Sequence, residues 1–312
     1  MSIKKISICF IAIIAIFLFY LFKDNNKLNK KEELEYINKE KTSTIFLMDC
    51  NNYLAKTSIN IDDKKTTIKA KKLLISLIQG EKYTQKIPNG FKPLIPSGTK
   101  ILNIEYKNQV IKVDFSTELM DTNIDNEEKI IESIVYTLTS IENVKYVIIY
   151  MNGKLLTKLP QSNITLPSTL DRSFGINKEY NISSDKNITK TTIYYVNKYN
   201  NKQYYVPVTK VSNDSREKAE IIIEELSNNN TYNTNLMSYL NSNTKLVSST
   251  LENNQIVMDF NNYIYNDIET SEILDEVILS ICLSLEDNYN INNIIFTVNN
   301  KEIYKSDRKT LE

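Results

Sequence analysis

Ile111-Lys112-Val113-Asp114-Phe115 is written a second time, 145 residues downstream, as Ile256-Val257-Met258-Asp259-Phe260. The residues ahead of each copy match at the same offset, Thr99-Lys100-Ile101-Leu102 against Thr244-Lys245-Leu246-Val247. In both copies apolar side chains alternate with polar ones, the period of a strand with one buried face. Leu102, Ile104 and Tyr106 alternate as well, so with a turn at Lys107-Asn108 the first copy reads as a β-hairpin.

Outward from the hairpins the correspondence continues in the same order. Tyr53-Leu54-Ala55-Lys56-Thr57 pairs with Tyr205-Val206-Pro207-Val208-Thr209, and Ala70 to Leu77 pairs with Ala219 to Leu226. Downstream, Val147 to Lys154 pairs with Ile294 to Lys301. The offset drifts by a few residues, as loop insertions would cause. So long a unit, present twice, means tandem domains rather than a solenoid, whose repeats run roughly 20–50 residues.

Each repeat predicts the same elements. Thr44 to Met48 is a strand, and Asn51-Asn52 turns into a second one. Helix A carries Ala70, Leu73, Leu74, Leu77 and Ile78 on one face and ends at Gly80, a natural C-cap. Helix B carries Ile130, Ile131, Ile134, Val135, Leu138 and Ile141, and Val144 to Met151 closes the repeat before Asn152-Gly153. In the second repeat helix A uses Ala219, Ile222, Ile223 and Leu226 behind a capping box of Asp214 and Glu217. Its helix B uses Leu274, Val277, Ile278, Ile281 and Leu285. The fold class is α+β: two tandem α/β-sandwich modules, each a mostly antiparallel sheet with two helices on one face. The domains expected are 44–159 and 191–307. Residues 160–190 between them are polar, and read as a flexible linker or a strap packed along the seam.

Composition excludes much chemistry. The chain has no His, which removes the commonest general base near neutral pH and the commonest zinc ligand. Ser-His-Asp and Cys-His arrangements cannot be built within it. Five Gly leave no phosphate-cradling loop of a standard pattern. Lys plus Arg and Asp plus Glu each number 38, so no nucleic-acid footprint is expected. Cys9, Cys50 and Cys282 either stand as free thiols or include a Cys50–Cys282 disulfide.

Residues 1–23 are expected to be a transmembrane anchor. Ile6 to Phe22 is uncharged, and as a helix it would be roughly 25 Å long, at the lower edge of what spans a hydrocarbon core. No A-x-A-like cleavage site follows the run, which favours an uncleaved signal anchor over a signal peptide. Lysines flank both ends, so their count does not orient it. A large domain behind an early anchor is usually translocated, which places the bulk of the chain outside the cytoplasm on a single-pass anchor. Residues 24–43 form a polar tether.

The blocks resemble the GerMN domain of bacterial sporulation and germination proteins, twice over. Tyr205-Val206-Pro207-Val208-Thr209-Lys210 is similar to that family's early Val-Pro-Val-Thr strand, and Ile95 to Lys100 to its Pro-x-Gly-Thr turn. Val113-Asp114-Phe115-Ser116, Ile134 to Leu138 and Val144 to Lys154 resemble its strand end, its helix B and its closing strand. Repeat 2 departs where Asn241-Ser242-Asn243 replaces Pro96-Ser97-Gly98, and repeat 1 lacks the Val-Pro-Val strand. The resemblance implies an envelope protein facing outside the cytoplasm, often a lipoprotein, acting in spore development or germination. It also implies a fold similar to the ring-building modules of secretion systems. This chain has no lipoprotein Cys after its apolar run.

The function expected is therefore a non-enzymatic scaffold or assembly factor docking onto an envelope complex, with homo-oligomerisation left open. A cell-wall or small-ligand module using the cleft between the repeats is the alternative. No catalytic, cofactor or metal residue is assigned. Asp114 and Asp259 recur before Phe, but an Asp at a strand end more often accepts backbone N–H groups from the turn that follows it. Glu118 and Asp121 follow Asp114 in repeat 1 only, and Cys50 is placed at a hairpin tip. The surface expected to matter is an exposed sheet edge or the groove between repeats.

Overall fold

The computed structural model describes residues 42–228, 235–267 and 269–307. The apolar run Ile6–Phe22, Cys9 and the tether up to residue 41 lie outside them. Among the described residues no helix is long and apolar enough to cross a membrane. Both repeats fall within one compact unit, Lys41–Glu312.

Repeat 1 opens with the hairpin β1 (Ser43–Asp49) and β2 (Leu54–Ile59), followed by helix α1 (Thr66–Ser76) and the short β3 (Phe91–Lys92). A second hairpin, β4 (Ile101–Lys107) and β5 (Val110–Phe115), leads to helix α2 (Ile124–Leu138), β6 (Tyr146–Met151) and β7 (Lys154–Leu155). The connecting segment contributes β8 (Glu179–Asn181). Repeat 2 restates the plan with β9 (Thr189–Tyr199), β10 (Lys202–Ser212), α3 (Lys218–Ser227), β11 (Leu246–Glu252) and β12 (Gln255–Phe260). Helix α4 (Asp275–Asn288), β13 (Asn293–Val298) and β14 (Lys301–Asp307) complete it.

Each repeat builds a four-stranded sheet, β4-β5-β6-β7 and β11-β12-β13-β14. The marginal pairs are antiparallel, but the central pairs, β5–β6 and β12–β13, are parallel. The helix between them is the reason: a crossover returns the chain to the same end of the sheet, as a parallel pair requires. The inward residues Ile111, Val113, Phe115, Val147 and Ile149 share a core with Ile130, Ile131, Ile134 and Val135 of α2. In repeat 2, Ile256, Met258, Phe260, Ile294 and Phe296 share one with Val277, Ile281 and Leu285 of α4.

The first hairpin of each repeat does not join that repeat's sheet. With β3 and β8, the two hairpins instead make a third, six-stranded sheet in the order β3-β1-β2-β10-β8, with β9 on β10. β2 and β10 meet antiparallel at Lys56 and Tyr205, so both repeats contribute to this sheet. One sheet per repeat was the simpler expectation. It fails because the middle of β1 and of β9 lies along a helix of its own repeat, so the two repeats meet through their second strands.

Two helix ends also differ from expectation. Helix α1 stops at Ser76, short of Gly80, because Leu77 and Gln79 exchange backbone hydrogen bonds with Ile95. Gly80 serves the turn beyond, at φ +78°. The capping box at α3 does not form. Glu217 is itself the N-cap and makes no side-chain cap, while Asp214 takes the Arg216 N–H and guanidinium.

Candidate functional site at the seam between the repeats

Where β1 is not covered by β3 and β9 is not bridged to Met237, their outer edges are closed by helices of their own repeats. Phe46 N–H donates to Thr137 Oγ1 at 3.0 Å, and its carbonyl accepts from Ser133 Oγ at 2.7 Å, both from α2. In repeat 2, Tyr194 N–H donates to Ser284 Oγ at 2.9 Å, and Asn288 of α4 pairs with both backbone groups of Thr192. Helix hydroxyls and an amide thus take the place of a neighbouring strand. These contacts align Thr44 to Asp49 with Thr192 to Asn197, a 148-residue match that the sequence reading passed over. Its signal was present as Thr-Ile-Phe/Tyr followed at the third place by Asp/Asn.

The connecting segment packs its apolar residues into the core of repeat 1 and turns polar ones toward repeat 2. Leu166, Leu170, Phe174 and Ile176 are buried. Its entry is fixed by the buried Glu127, whose carboxylate accepts the N–H groups of Gln161 at 2.8 Å and Ser162 at 2.7 Å. Further on, Asn177 stands where β2 and β10 part. Its Oδ1 accepts from Leu54 N–H at 2.9 Å, and its Nδ2 donates to the carbonyls of Leu54 and Pro207, each at 2.7 Å. One side-chain amide, itself at positive φ, so joins a strand of each repeat.

Arg172 is the centre of a second junction. Its guanidinium pairs with Asp287 of α4 and donates to Thr139 Oγ1 at 3.2 Å and Ser140 Oγ at 2.8 Å, both just past α2. Tyr194 OH donates to the other Asp287 oxygen at 2.8 Å, and Tyr136 OH donates to the Arg172 carbonyl at 3.1 Å. The guanidinium also lies over the Tyr136 and Phe46 rings. Burial opposes the Arg172 charge, but Asp287 and the two phenols hold its pKa above the ordinary value. Burial, then Asp287, raises the phenols of Tyr136 and Tyr194. Beside this junction Lys178 pairs with Glu132 at 2.9 Å and Glu128 at 2.7 Å. These carboxylates hold its ammonium above the usual range against the cost of burial.

A third junction joins the tip of the β9–β10 hairpin to β1 and β3. The buried Asp49 accepts from Asn197 Nδ2 at 3.2 Å and Tyr204 OH at 2.8 Å, and from the N–H groups of Asn51 and Tyr53. Phe91 and Tyr204 meet edge to face at 4.9 Å. At Gly90 a Cβ would lie 2.6 Å from the Tyr199 ring, and φ is +94°, so only glycine fits there.

The residues singled out in the sequence are placed elsewhere. Asp114 accepts the Gly153 N–H at 3.0 Å, and Asp259 accepts from Asn300 N–H at 3.0 Å and Thr297 Oγ1 at 2.6 Å. The turn each holds is the one after the neighbouring parallel strand, not the one after its own. Ser116, by hydrogen bonding, holds Glu118 below the usual carboxylate range. Cys50 is exposed, Cys282 is buried, and both are free thiols. Among the described residues no cluster of three or more Cys, Asp or Glu could hold a metal ion. Surface depressions of about 460 Å³, between α1 and β4, and about 170 Å³, beside Tyr239 and Tyr263, each lie within one repeat.

Comparison with known proteins agrees with this architecture. The model of the Germane family, described as sporulation and spore germination, matches residues 29–157 and again 192–304. The chain is 30% identical over 263 residues to the spore germination protein GerM of Bacillus subtilis (strain 168), covering 82% of this chain and 71% of that protein. The solved structure of the tandem GerMN domains of GerM from Bacillus subtilis superposes with a TM-score of 0.76 at 27% identity, covering 86% of this chain and 94% of that one. With two matches to one family model, in order and over most of its length, the chain belongs to the Germane family of sporulation and spore germination proteins.

Proposed function

We propose that this chain is a membrane-anchored, extracytoplasmic scaffold or assembly factor of sporulation or germination, which docks like modules onto an envelope complex without catalysing a reaction. The observation that carries the reading is the seam. Arg172, Asn177 and Asp49 hold two homologous modules in one fixed arrangement, which suits a part that must present two surfaces at a set spacing. The side chains of Arg172, Asp287, Asn177 and Asp49 are engaged by partners across the seam, which favours a joint over a cleft. The apolar run Ile6–Phe22 would tether the unit to the membrane and confine docking to its surface.

The test is crosslinking and co-purification of the tagged full chain from sporulating cells, beside a form lacking residues 1–23. Specific recovery of envelope proteins that falls when the anchor is removed is the expected result. Recovery of wall fragments without protein partners would overturn it, and would move attention to the depression between α1 and β4.

A further inference from the structure

The two repeats carry opposite charge on the same surface. Residues 62–72, leading into and along α1, hold five Lys against Asp62 and Asp63. Residues 214–225, which lead into and along α3, hold five carboxylates against Arg216 and Lys218. At the aligned positions Ala70 and Ala219 both are buried, and the next residue on each helix is exposed: Lys71 in repeat 1, Glu220 in repeat 2. Beside each helix lies an edge strand that shows apolar side chains to solvent. Leu102 of β4 is 50% exposed, and its counterpart Val247 of β11 is 64% exposed. In repeat 1 the helix and strand enclose a groove lined by Ile68, Lys71, Lys72, Lys82, Leu102 and Ile104.

We infer that these are complementary docking surfaces between copies of this chain, the α1/β4 surface of one copy receiving the α3/β11 surface of the next. Charge selects the pairing. Two α1 surfaces repel, two α3 surfaces repel, and only the unlike pair attracts, while Leu102 and Val247 supply apolar area on either side. Because the surfaces sit on different repeats, the contact is heterologous. Each added copy leaves a basic repeat free at one end and an acidic repeat at the other, so assembly continues until it closes into a ring or grows as a filament. The inference stands apart from the envelope docking proposed above, since it needs no second protein.

The experiment is sedimentation velocity on the full chain in detergent micelles, with a charge-swap set built on exposed residues. Wild type is expected to self-associate at ~50 mM salt and to weaken at least about tenfold at ~500 mM. Lys65→Glu/Lys71→Glu makes both repeats acidic, and Glu220→Lys/Glu224→Lys makes both basic. Each alone is expected to lose about tenfold or more in self-association, and an equal mixture of the two to regain it. The chain carrying all four changes is expected to associate as wild type does. In a Cys50→Ser background, Leu102→Cys mixed with Val247→Cys should form disulfide-linked dimers that neither forms alone. A wild type still monomeric at roughly 1 mM overturns the inference. So does a mixture no more associated than its components, and so does Lys71-dependent binding to anionic phospholipid vesicles by a chain that stays monomeric.

Discussion

Arg172 and Asp287 illustrate what a buried charge does in a joint. The Asp287 side chain is 5% exposed and that of Arg172 23%, so neither ion has enough water to stand alone. Removing one partner strands the other, a loss of about 3 kcal/mol or more, whereas replacing both with apolar residues is often close to neutral. Arg172→Met is therefore expected to lower stability by about 3 kcal/mol in urea unfolding, and Arg172→Met/Asp287→Leu to recover most of that loss. A double variant as unstable as the single one would mean that Thr139 and Ser140, not Asp287, set the cost. Asn177 works through geometry instead of charge, since its amide must both donate and accept. Asn177→Asp keeps the acceptor toward Leu54 N–H but faces the carbonyls of Leu54 and Pro207 with oxygen. It should cost about 2–3 kcal/mol, more than its change in volume would suggest.

At the scale of elements, the recurring device is a helix hydroxyl closing a strand edge. Thr137 does this for Phe46, and Ser284 for Tyr194. Thr137→Val and Ser284→Ala each leave one buried N–H without its partner, so each is expected to cost about 1–3 kcal/mol, with similar values in the two repeats. Equal losses in paired chemical denaturation would support equivalence of the edges; a loss at one site only would refute it. The helices and hairpins were legible in the sequence because their periods are set by burial on one face, as in Ile111, Val113 and Phe115. The parallel centre of each sheet was not legible, because period-two alternation is the same for either strand direction. The shared sheet was hidden for a related reason. Lys56 and Tyr205 are far apart in sequence, and nothing in either hairpin's pattern says which strand will be left to pair. The seam residues lie in a polar stretch without period, so Arg172 and Asn177 gave no signal of their own. The roles of Asp114 and Asp259 were legible in kind but not in detail, since the turn each holds follows a different strand.

Over the whole molecule, the junctions make stability depend on alkaline pH. Tyr136 and Tyr194 have folded-state pKa values raised above the ordinary phenol range, first by burial and then by Asp287. A group with a raised folded pKa contributes stability that is fully present below its unfolded value, near 10 for a phenol, and lost as pH rises through the folded value. Lys178, raised by Glu132 and Glu128, acts in the same direction above the ordinary lysine range. Stability should therefore be insensitive to these groups through neutral pH and fall once pH exceeds about 10. With 20 Tyr in the chain, the exposed phenols supply an internal reference for the buried ones. Phenolate absorbance is expected to rise in two stages, a reversible one from exposed rings and a cooperative one coincident with loss of circular dichroism. Tyr136→Phe should shrink the second stage and flatten the alkaline fall by up to about 1.4 kcal/mol per pH unit, the slope for one proton. Because Tyr136 and Tyr194 come from different repeats and meet at the same Arg172–Asp287 pair, both repeats should unfold together in that stage. A titration in which one repeat's signal is lost well before the other's would show that the seam does not couple them.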